Sequence, residues 1–185
     1  MNNVNSMKND SKYKSVCLVG YRACGKTTVA KILAERLGVP AFDTDRLVEN
    51  KAKKSIAHIF AEEGESAFRA LETNALAETL ALTTPFVLAT GGGVVLSEEN
   101  RRLLSDCKAK IVWLTARPET IFRRMSADAA NDATRPALTT LAPDEEIRAL
   151  LSAREPLYRE VSDQKIATDT LMPEKIAALI LDVSQ

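Results

Sequence analysis

The chain has no excess of charge of either sign. Its 185 residues contain 25 Lys and Arg and 25 Asp and Glu, so the formal net charge is zero. A protein that binds nucleic acid or an anionic membrane surface through its overall charge carries a basic surplus. We therefore expect no nucleic-acid partner and no attraction of the chain to a membrane surface.

Long hydrophobic runs are also absent. Residues 85–89 and 111–114 are among the longest, and both fall far short of the roughly 20 apolar residues that span a bilayer. The first 14 residues are polar and contain no hydrophobic segment of the kind found in signal peptides. We expect residues 1–14 to be a disordered tail, residues 15–185 to form a single domain, and the protein to work in the cytoplasm.

The cysteine content is low and unpatterned. Cys17, Cys24 and Cys107 are an odd number without the spacing of metal ligands, which argues against a disulfide framework or a zinc site and fits a reducing compartment. Two interpretations of Cys24 remain. Its thiol is redox-sensitive, or it is simply a small residue tolerated in its loop, and the second is favoured because no obvious electropositive activator is apparent.

One motif dominates the sequence, the segment G-Y-R-A-C-G-K-T-T that begins at Gly20. It matches the phosphate-binding pattern G-x-x-x-x-G-K-[ST]. An apolar segment typical of a strand precedes it, and a helical pattern that ends at Gly38 follows. Because this strand–loop–helix context is the one that the motif requires, the sequence predicts a nucleotide site.

The residue types of this loop suit the chemistry of phosphate binding. Glycines allow backbone N–H groups to approach a phosphate, and the N-terminus of the following helix adds partial positive charge. Lys26 is expected to reach the β- and γ-phosphates of ATP, and the Thr27 hydroxyl to complete the shell of Mg²⁺. The predicted nucleotide-binding residues of the loop are Ala23, Cys24, Gly25, Lys26, Thr27 and Thr28.

The order of hydrophobic patterns predicts the fold class. Short apolar or β-rich segments alternate along the chain with segments that have helical periodicity. Residues 85–89 form a continuous apolar run, which is typical of a strand buried on both faces. This alternation predicts an α/β protein with a parallel sheet and helices on both faces.

Two further segments follow predicted strands and are candidates for chemistry. Asp43 and Asp45 follow the second strand, where carboxylates can hold Mg²⁺ through water or accept a proton from an attacking hydroxyl. The alternative is a helix cap at Asp43 or Thr44. The triplet Gly91–Gly93 follows the third strand, and it either exposes backbone to a ligand or forms a loose turn.

Taken together, these segments resemble the shikimate kinase family. The matching pieces, in order, are the phosphate loop, F-D-T-D, S-I-A-H-I-F, F-R-A-L-E, A-T-G-G-G-V-V-L, R-P-A-L and A-R-E-P-L-Y-R-E-V. The resemblance implies a three-layer P-loop kinase fold, with a central five-stranded parallel sheet flanked by helices and a mobile lid at about residues 127–141. It also implies ATP-dependent phosphorylation of the 3-hydroxyl of shikimate, with Mg²⁺ as cofactor.

The resemblance also assigns roles at the acceptor site. Asp45 matches the aspartate that binds the acceptor hydroxyls and is the candidate base, and Asp43 matches the residue that reaches Mg²⁺ through water. Arg69 and Arg154 match the arginines that bind the substrate carboxylate, a role that suits the forked guanidinium. Gly91, Gly92 and Gly93 match the backbone platform beneath the substrate. Glu72, one helical turn beyond Arg69, is expected to hold that arginine in place.

Further residues are implied at the nucleotide. Arg135 matches the lid arginine that stabilises developing charge on the phosphates, and Arg124 matches an arginine that stacks on adenine. The alternative for Arg124 is a solvated helix face. Phe60 and Phe68 match apolar residues near the acceptor pocket, although core packing explains them equally well.

One loop residue departs from the family pattern. Ala23 stands where the family usually has glycine, and its methyl group is strained if the backbone there has a positive φ.

Other functions are less well supported by the sequence. A gluconate kinase or a nucleoside monophosphate kinase has a similar build, but Asp45, Arg69 and Arg154 together suit an acceptor that carries a carboxylate and several hydroxyls. A catalytically silent nucleotide-binding protein would be expected to have lost Lys26, Asp45 or an arginine of the pair. We therefore expect a kinase that binds shikimate and ATP, and that works as a monomer.

Overall fold

The computed structural model describes residues 15–128 and 142–182, and a five-stranded parallel sheet forms its centre. The spatial order of the strands is second, third, first, fourth and fifth. This arrangement confirms the predicted sheet. The strands are β1 (Val16–Val19), β2 (Ala41–Asp43), β3 (Val87–Ala89), β4 (Lys110–Thr115) and β5 (Gln164–Ala167).

Within the same residues, eight α-helices surround the sheet. Most begin or end at residues that favour a helix boundary. α1 ends at Gly38, which adopts the left-handed conformation with φ 67°, and the hydroxyl groups of Ser55 and Ser97 cap two later helices. The helices are α1 (Lys26–Leu37), α2 (Thr44–Ala52), α3 (Ile56–Glu62), α4 (Gly64–Leu80), α5 (Glu98–Asp106), α6 (Pro118–Asp128), α7 (Pro143–Val161) and α8 (Pro173–Leu181).

The sheet is covered on both faces. Successive side chains of β1 alternate between two hydrophobic clusters, with Val16 and Leu18 in one and Cys17 and Val19 in the other. The first cluster contains residues of α1 and α8. The second contains residues of α4 and α5. The result is the predicted three-layer arrangement of helices, sheet and helices.

A third, smaller cluster lies among α2, α3 and α4. Val48, Ile59 and Phe68 belong to it, and all three are buried. These helices connect β2 to β3 in the chain, and α4 packs against both α2 and α3. The cluster therefore holds the helical segment that carries Phe68 and Arg69 against the rest of the domain.

Two local features differ from simple sequence rules. Residues Val94–Leu96 form a 3₁₀ turn directly after the glycine triplet, a short element that hydrophobic periodicity does not indicate. Pro156 lies inside α7, although proline removes one hydrogen bond of a helix. None of the helices in the described residues is long and apolar enough to cross a membrane.

Candidate active site

A cleft opens where β1, β2 and β3 end side by side. The parallel register aligns Asp43 of β2 and Leu18 of β1 with Ala89 of β3, so the loops that follow these strands meet. The cleft has a volume of about 710 Å³, within the range of small-molecule sites. It is lined by the predicted nucleotide-binding residues that the structure describes, Ala23, Cys24, Gly25, Lys26, Thr27, Thr28 and Arg124.

The phosphate loop turns through three residues with positive φ, and the first of them is Gly20 with φ 142°. Gly25 has φ 87° and Ala23 has φ 59°. The left-handed region costs a residue with a Cβ about 1–2 kcal/mol, so the departure from glycine at position 23 does place strain in the loop. The guanidinium of Arg124 donates a hydrogen bond of 3.1 Å to the Ala23 carbonyl oxygen and contacts the loop from the side of α6.

Lys26 points into the hollow of this loop. Its side chain is buried, and Nζ donates hydrogen bonds of 2.8 Å to the carbonyl oxygens of both Gly20 and Tyr21. An ammonium group is costly to bury without such partners. The two carbonyl groups therefore keep the Lys26 ammonium at the position where the motif predicts contact with the phosphates.

Asp43 performs two structural tasks with its two oxygens. Oδ1 accepts a hydrogen bond of 3.1 Å from the backbone N–H of Asp45 and so caps α2. Oδ2 accepts a hydrogen bond of 2.9 Å from the Thr27 hydroxyl, at the start of α1. The helix cap, which the sequence left as an alternative, is therefore real, and it leaves the second oxygen facing the phosphate loop.

The pairing of Thr27 with Asp43 fits a magnesium site. Mg²⁺ takes oxygen ligands, keeps several waters and is usually held by one or two protein groups together with substrate phosphates. Among residues 15–128 and 142–182, no group of three or more His, Cys, Asp or Glu side chains could hold a metal by itself. Thr27 and Asp43 would supply protein oxygens for Mg²⁺, beside water and the phosphates of a nucleotide.

A second pocket adjoins the cleft and gathers every predicted substrate-binding residue. Asp45 lines both the cleft and this pocket, so it lies at their junction. Tyr21, Phe60, Phe68 and Glu72 contribute further walls. The predicted residues that line the pocket are Asp45, Arg69, Gly91, Gly92, Gly93 and Arg154.

Arg69 is fixed by carboxylates on its own helix. Nη1 donates a hydrogen bond of 2.7 Å to Oε2 of Glu72, and Nη2 donates one of 3.0 Å to Oε1 of Glu65. Burial lowers the pKa of Arg69, but the two carboxylates outweigh it and raise the pKa overall. The side chain of Glu72 is almost fully buried. The expectation that Glu72 holds Arg69 in place agrees with this geometry.

The glycine triplet is needed because polar side chains approach the backbone closely. A Cβ at Gly91 would lie 2.5 Å from Oε1 of Glu72 and 2.8 Å from Oδ1 of Asp45. A Cβ at Gly93 would lie 2.5 Å from Nη1 of Arg69. A side chain at either position would displace the carboxylate or guanidinium groups that lie there. Gly92 and Gly93 form a turn, and the triplet lines the second pocket in close contact with the ends of Glu72, Asp45 and Arg69. A platform beneath the substrate stays a prediction.

Arg154 enters the pocket from α7 and is itself buried. Nη1 donates a hydrogen bond of 3.2 Å to the carbonyl oxygen of Gly92. The guanidinium also lies 5.7 Å from the centre of the Tyr21 ring, a cation–π contact. Arg69 and Arg154 therefore face one pocket from two different helices.

Arg124 is half-buried and forms a bridge between the loop and the end of β5. Besides Ala23, it bonds to Thr168, through Oγ1 at 3.1 Å and through the carbonyl oxygen at 2.6 Å. The alternative of a solvated helix face is therefore wrong. Stacking on adenine stays a prediction, and the lining of the cleft by Arg124 is compatible with it.

The two phenylalanines pack in the core and also line the second pocket. Phe60 and Phe68 both belong to its walls, and their ring centres lie 4.8 Å apart within the third hydrophobic cluster. A place near the acceptor stays a prediction. Cys24 is fully buried, and burial raises the pKa of its thiol despite the opposing effects of Lys26 and Arg124. A raised pKa disfavours the reactive thiolate, which supports the view that Cys24 is a small packing residue.

Some predictions fall outside the described residues. They are Arg135, the tail at residues 1–14 and most of the lid expected at residues 127–141. Of that lid, Ala127 and Asp128 belong to α6.

One partly buried ion pair at the site has no signal in the sequence. Arg22 of the phosphate loop donates a hydrogen bond of 3.0 Å to Oε1 of Glu146 in the first turn of α7. Glu146 is buried. The partners are 124 residues apart in the chain, so no local pattern links them, and only the packing of α7 against the loop brings them together.

Fold and site together define a class of protein. The phosphate loop lies between β1 and α1, Asp43 ends β2, and Asp45 lies in the first turn of α2. Together with the adjoining pocket that holds two arginines, this arrangement is typical of a P-loop phosphotransferase. The comparisons with known proteins narrow this class.

A family model described as shikimate kinase matches residues 22–185. The chain is 40% identical over 176 residues to the shikimate kinase of Rhodopirellula baltica, covering 95% of this chain and 93% of that one. It is 41% identical over 171 residues to that of Symbiobacterium thermophilum, covering 92% and 96%. A structure of Acinetobacter baumannii shikimate kinase in complex with shikimate is 37% identical, covers 91% of both chains and has a TM-score of 0.83. The chain belongs to the shikimate kinase family.

The strain at Ala23 leads to a prediction about stability. Ala23→Gly is compared with Ala149→Gly, which makes the same change at an exposed site inside α7. Both variants lose a methyl group and gain unfolded-state entropy, but only the first relieves a left-handed alanine. We expect Ala23→Gly to have the higher free energy of unfolding by about 1–2 kcal/mol, measured by urea denaturation. If both variants lost the same amount of unfolding free energy, the left-handed conformation at position 23 would not be costly.

Proposed function

We propose that this chain transfers the γ-phosphoryl group of ATP to the 3-hydroxyl of shikimate, producing shikimate 3-phosphate and ADP. Membership of the shikimate kinase family supports this activity. We also propose that the protein works in the cytoplasm and as a monomer.

The position of Asp45 is the observation that carries the proposal. This carboxylate lines both the nucleotide cleft and the acceptor pocket. An acceptor hydroxyl next to Asp45 would thus lie where the pocket meets the cleft, close to the γ-phosphate of a nucleotide bound in the cleft. Direct transfer of a phosphoryl group requires that the two substrates bind side by side in this way.

The charges of the acceptor pocket suit a carboxylate with several hydroxyl groups. Arg69 and Arg154 supply forked donors that pair with a carboxylate in a bidentate way. Asp45 supplies acceptors for hydroxyl groups, and the glycine triplet supplies backbone without side chains. Phe60 and Phe68 provide apolar walls suited to the carbon face of a ring.

Asp45 accepts the proton of the 3-hydroxyl as the oxygen attacks the γ-phosphorus, and the bond from that phosphorus to the β,γ-bridging oxygen breaks. Lys26 exchanges its carbonyl partners in the loop for phosphate oxygens and neutralises the charge that develops there. Arg135 adds a second cation to the same oxygens, as the family resemblance implies. Thr27 and, through water, Asp43 would hold Mg²⁺, which when bound withdraws charge from the β- and γ-phosphates.

Kinases for other small acceptors are the principal alternative. Gluconate also carries a carboxylate and hydroxyl groups, whereas a nucleoside monophosphate offers a base and a phosphate. Membership of the shikimate kinase family favours shikimate over both. A silent nucleotide-binding protein is less well supported, because Lys26, Asp45, Arg69 and Arg154 are all in place.

The direct test is ADP release from Mg·ATP with shikimate, gluconate or AMP as acceptor. We expect strong stimulation by shikimate and little by the other two. Stimulation by gluconate or AMP instead would assign a different acceptor. Tight ATP binding without stimulation by any of the three would favour the silent alternative.

The role of Asp45 is tested by Asp45→Asn. The amide cannot take up the proton, so we expect kcat to fall by about 10²–10⁴-fold while the affinity for ATP, measured by calorimetry, stays near that of the wild type. Asp106→Asn makes the same change at an exposed site at the end of α5 and should leave both quantities unchanged. Near-normal turnover of the Asp45 variant would remove this residue from its assigned role.

The role of Arg154 is tested by Arg154→Lys, compared with Arg159→Lys on the exposed side of the same helix. Lysine keeps the charge but loses the forked pair of donors. We expect the KM for shikimate to rise on the order of tenfold in the first variant only. An unchanged KM would place the substrate carboxylate elsewhere.

A further inference from the structure

Tyr158 has no role in the proposed reaction, yet it is hydrogen-bonded to a wall of the acceptor pocket. It lies one turn after Arg154 on α7, so both side chains project from one face of the helix. The Tyr158 hydroxyl donates a hydrogen bond of 2.5 Å to the carbonyl oxygen of Gly92. Arg154 donates its bond of 3.2 Å to the same oxygen. One carbonyl group of the glycine wall thus receives two donors from one helix.

The ring of Tyr158 is held rigidly. Its side chain is 1% exposed, and the ring stacks on Trp113 of β4 with centres 5.8 Å apart and an angle of 22° between the planes. Lys165 of β5 covers Trp113 from 4.2 Å. Burial also raises the pKa of Tyr158 far above its usual value, against the lowering effect of Arg154, so the hydroxyl keeps its proton. The donor is therefore fixed in place.

The bond to Gly92 fixes more than one atom of the pocket wall. The carbonyl group of Gly92 and the N–H of Gly93 belong to the same planar trans peptide, so they point in opposite directions. Gly93 lines the pocket next to Arg69. A flexible glycine backbone would otherwise allow this peptide to rotate. Tyr158 thereby limits the orientation of both the peptide and the guanidinium of Arg154 that shares its acceptor.

We propose that Tyr158 is a positioning residue for the acceptor, which holds the Gly92–Gly93 peptide and the Arg154 guanidinium in the geometry that binds the substrate carboxylate. The inference rests on the proposed function. Tyr158 does not contact the reacting atoms, so its contribution belongs to acceptor binding rather than to the chemical step.

The test is Tyr158→Phe, which removes only the hydroxyl and keeps the ring that stacks on Trp113. The Gly92 carbonyl oxygen keeps its bond from Arg154. We expect the KM for shikimate to rise roughly threefold to tenfold, as the loss of one hydrogen bond would produce. We expect kcat to change less than about twofold and the KM for ATP to stay constant.

Thr79→Val is the matched control for a buried hydroxyl. Thr79 donates a hydrogen bond of 2.8 Å to the Ala75 carbonyl oxygen inside α4 and does not line either pocket. If general destabilisation raised the KM, this variant would raise it as well. We expect Thr79→Val to lower the melting temperature and leave the KM for shikimate unchanged. An equal rise in both variants would overturn the proposal.

A double-mutant cycle then distinguishes positioning from independent packing. If Tyr158 acts through Arg154, adding Tyr158→Phe to Arg154→Lys should raise the KM further by less than twofold. Fully multiplicative effects, or an unchanged KM in Tyr158→Phe alone, would overturn the proposal. If shikimate does not stimulate ADP release by the wild-type enzyme, both the proposed function and this inference are contradicted. If the wild type is active and the KM of the Tyr158→Phe variant is unchanged, only this inference is contradicted.

Discussion

The site depends on the parallel alignment of β2, β3 and β1. Their register places Asp43, Ala89 and Leu18 at one level. β2 and β3 end at this level and β1 ends one residue later, at Val19, so the loops that follow the three strands begin close together. Hydrogen bonds extend this alignment beyond the strands, since Thr90 donates to the Leu18 carbonyl oxygen and the N–H of Gly91 donates to the Thr44 hydroxyl. A shift of one strand by one residue would turn its side chains to the opposite face and separate the loops.

The site buries several charged groups, which carries an energetic cost. Lys26, Glu72, Glu146 and Arg154 are all buried, and a buried ion is tolerated only with close partners. Backbone carbonyl groups serve Lys26 and Arg154, whereas Arg69 uses carboxylates. Because these partners exist before any substrate binds, the pocket presents two guanidinium groups already oriented, which reduces the ordering needed on binding.

Several structural and functional roles coincide in single residues. Asp43 caps a helix with one oxygen and faces the phosphate loop with the other. Phe60 and Phe68 pack in a cluster and also form a pocket wall. Ala23 shows the opposite situation, since its left-handed backbone conflicts with local preference at a loop where strain is commonly retained for function. For Asp43, Phe60 and Phe68, a structural role therefore does not argue against a functional one.

The sequence by itself determined the phosphate loop, the alternation of strands and helices and the residues that gather at the acceptor pocket, because motifs and periodicity are local and the family pattern is ordered along the chain. Helix ends at Gly38, Ser55 and Ser97 were local signals too. Only the tertiary structure decided the partners that are far apart in sequence. Arg22 meets Glu146, and Tyr158 meets Gly92, across 124 and 66 residues. No local pattern encodes such contacts, since they arise when α7 packs against the loops at the end of the sheet.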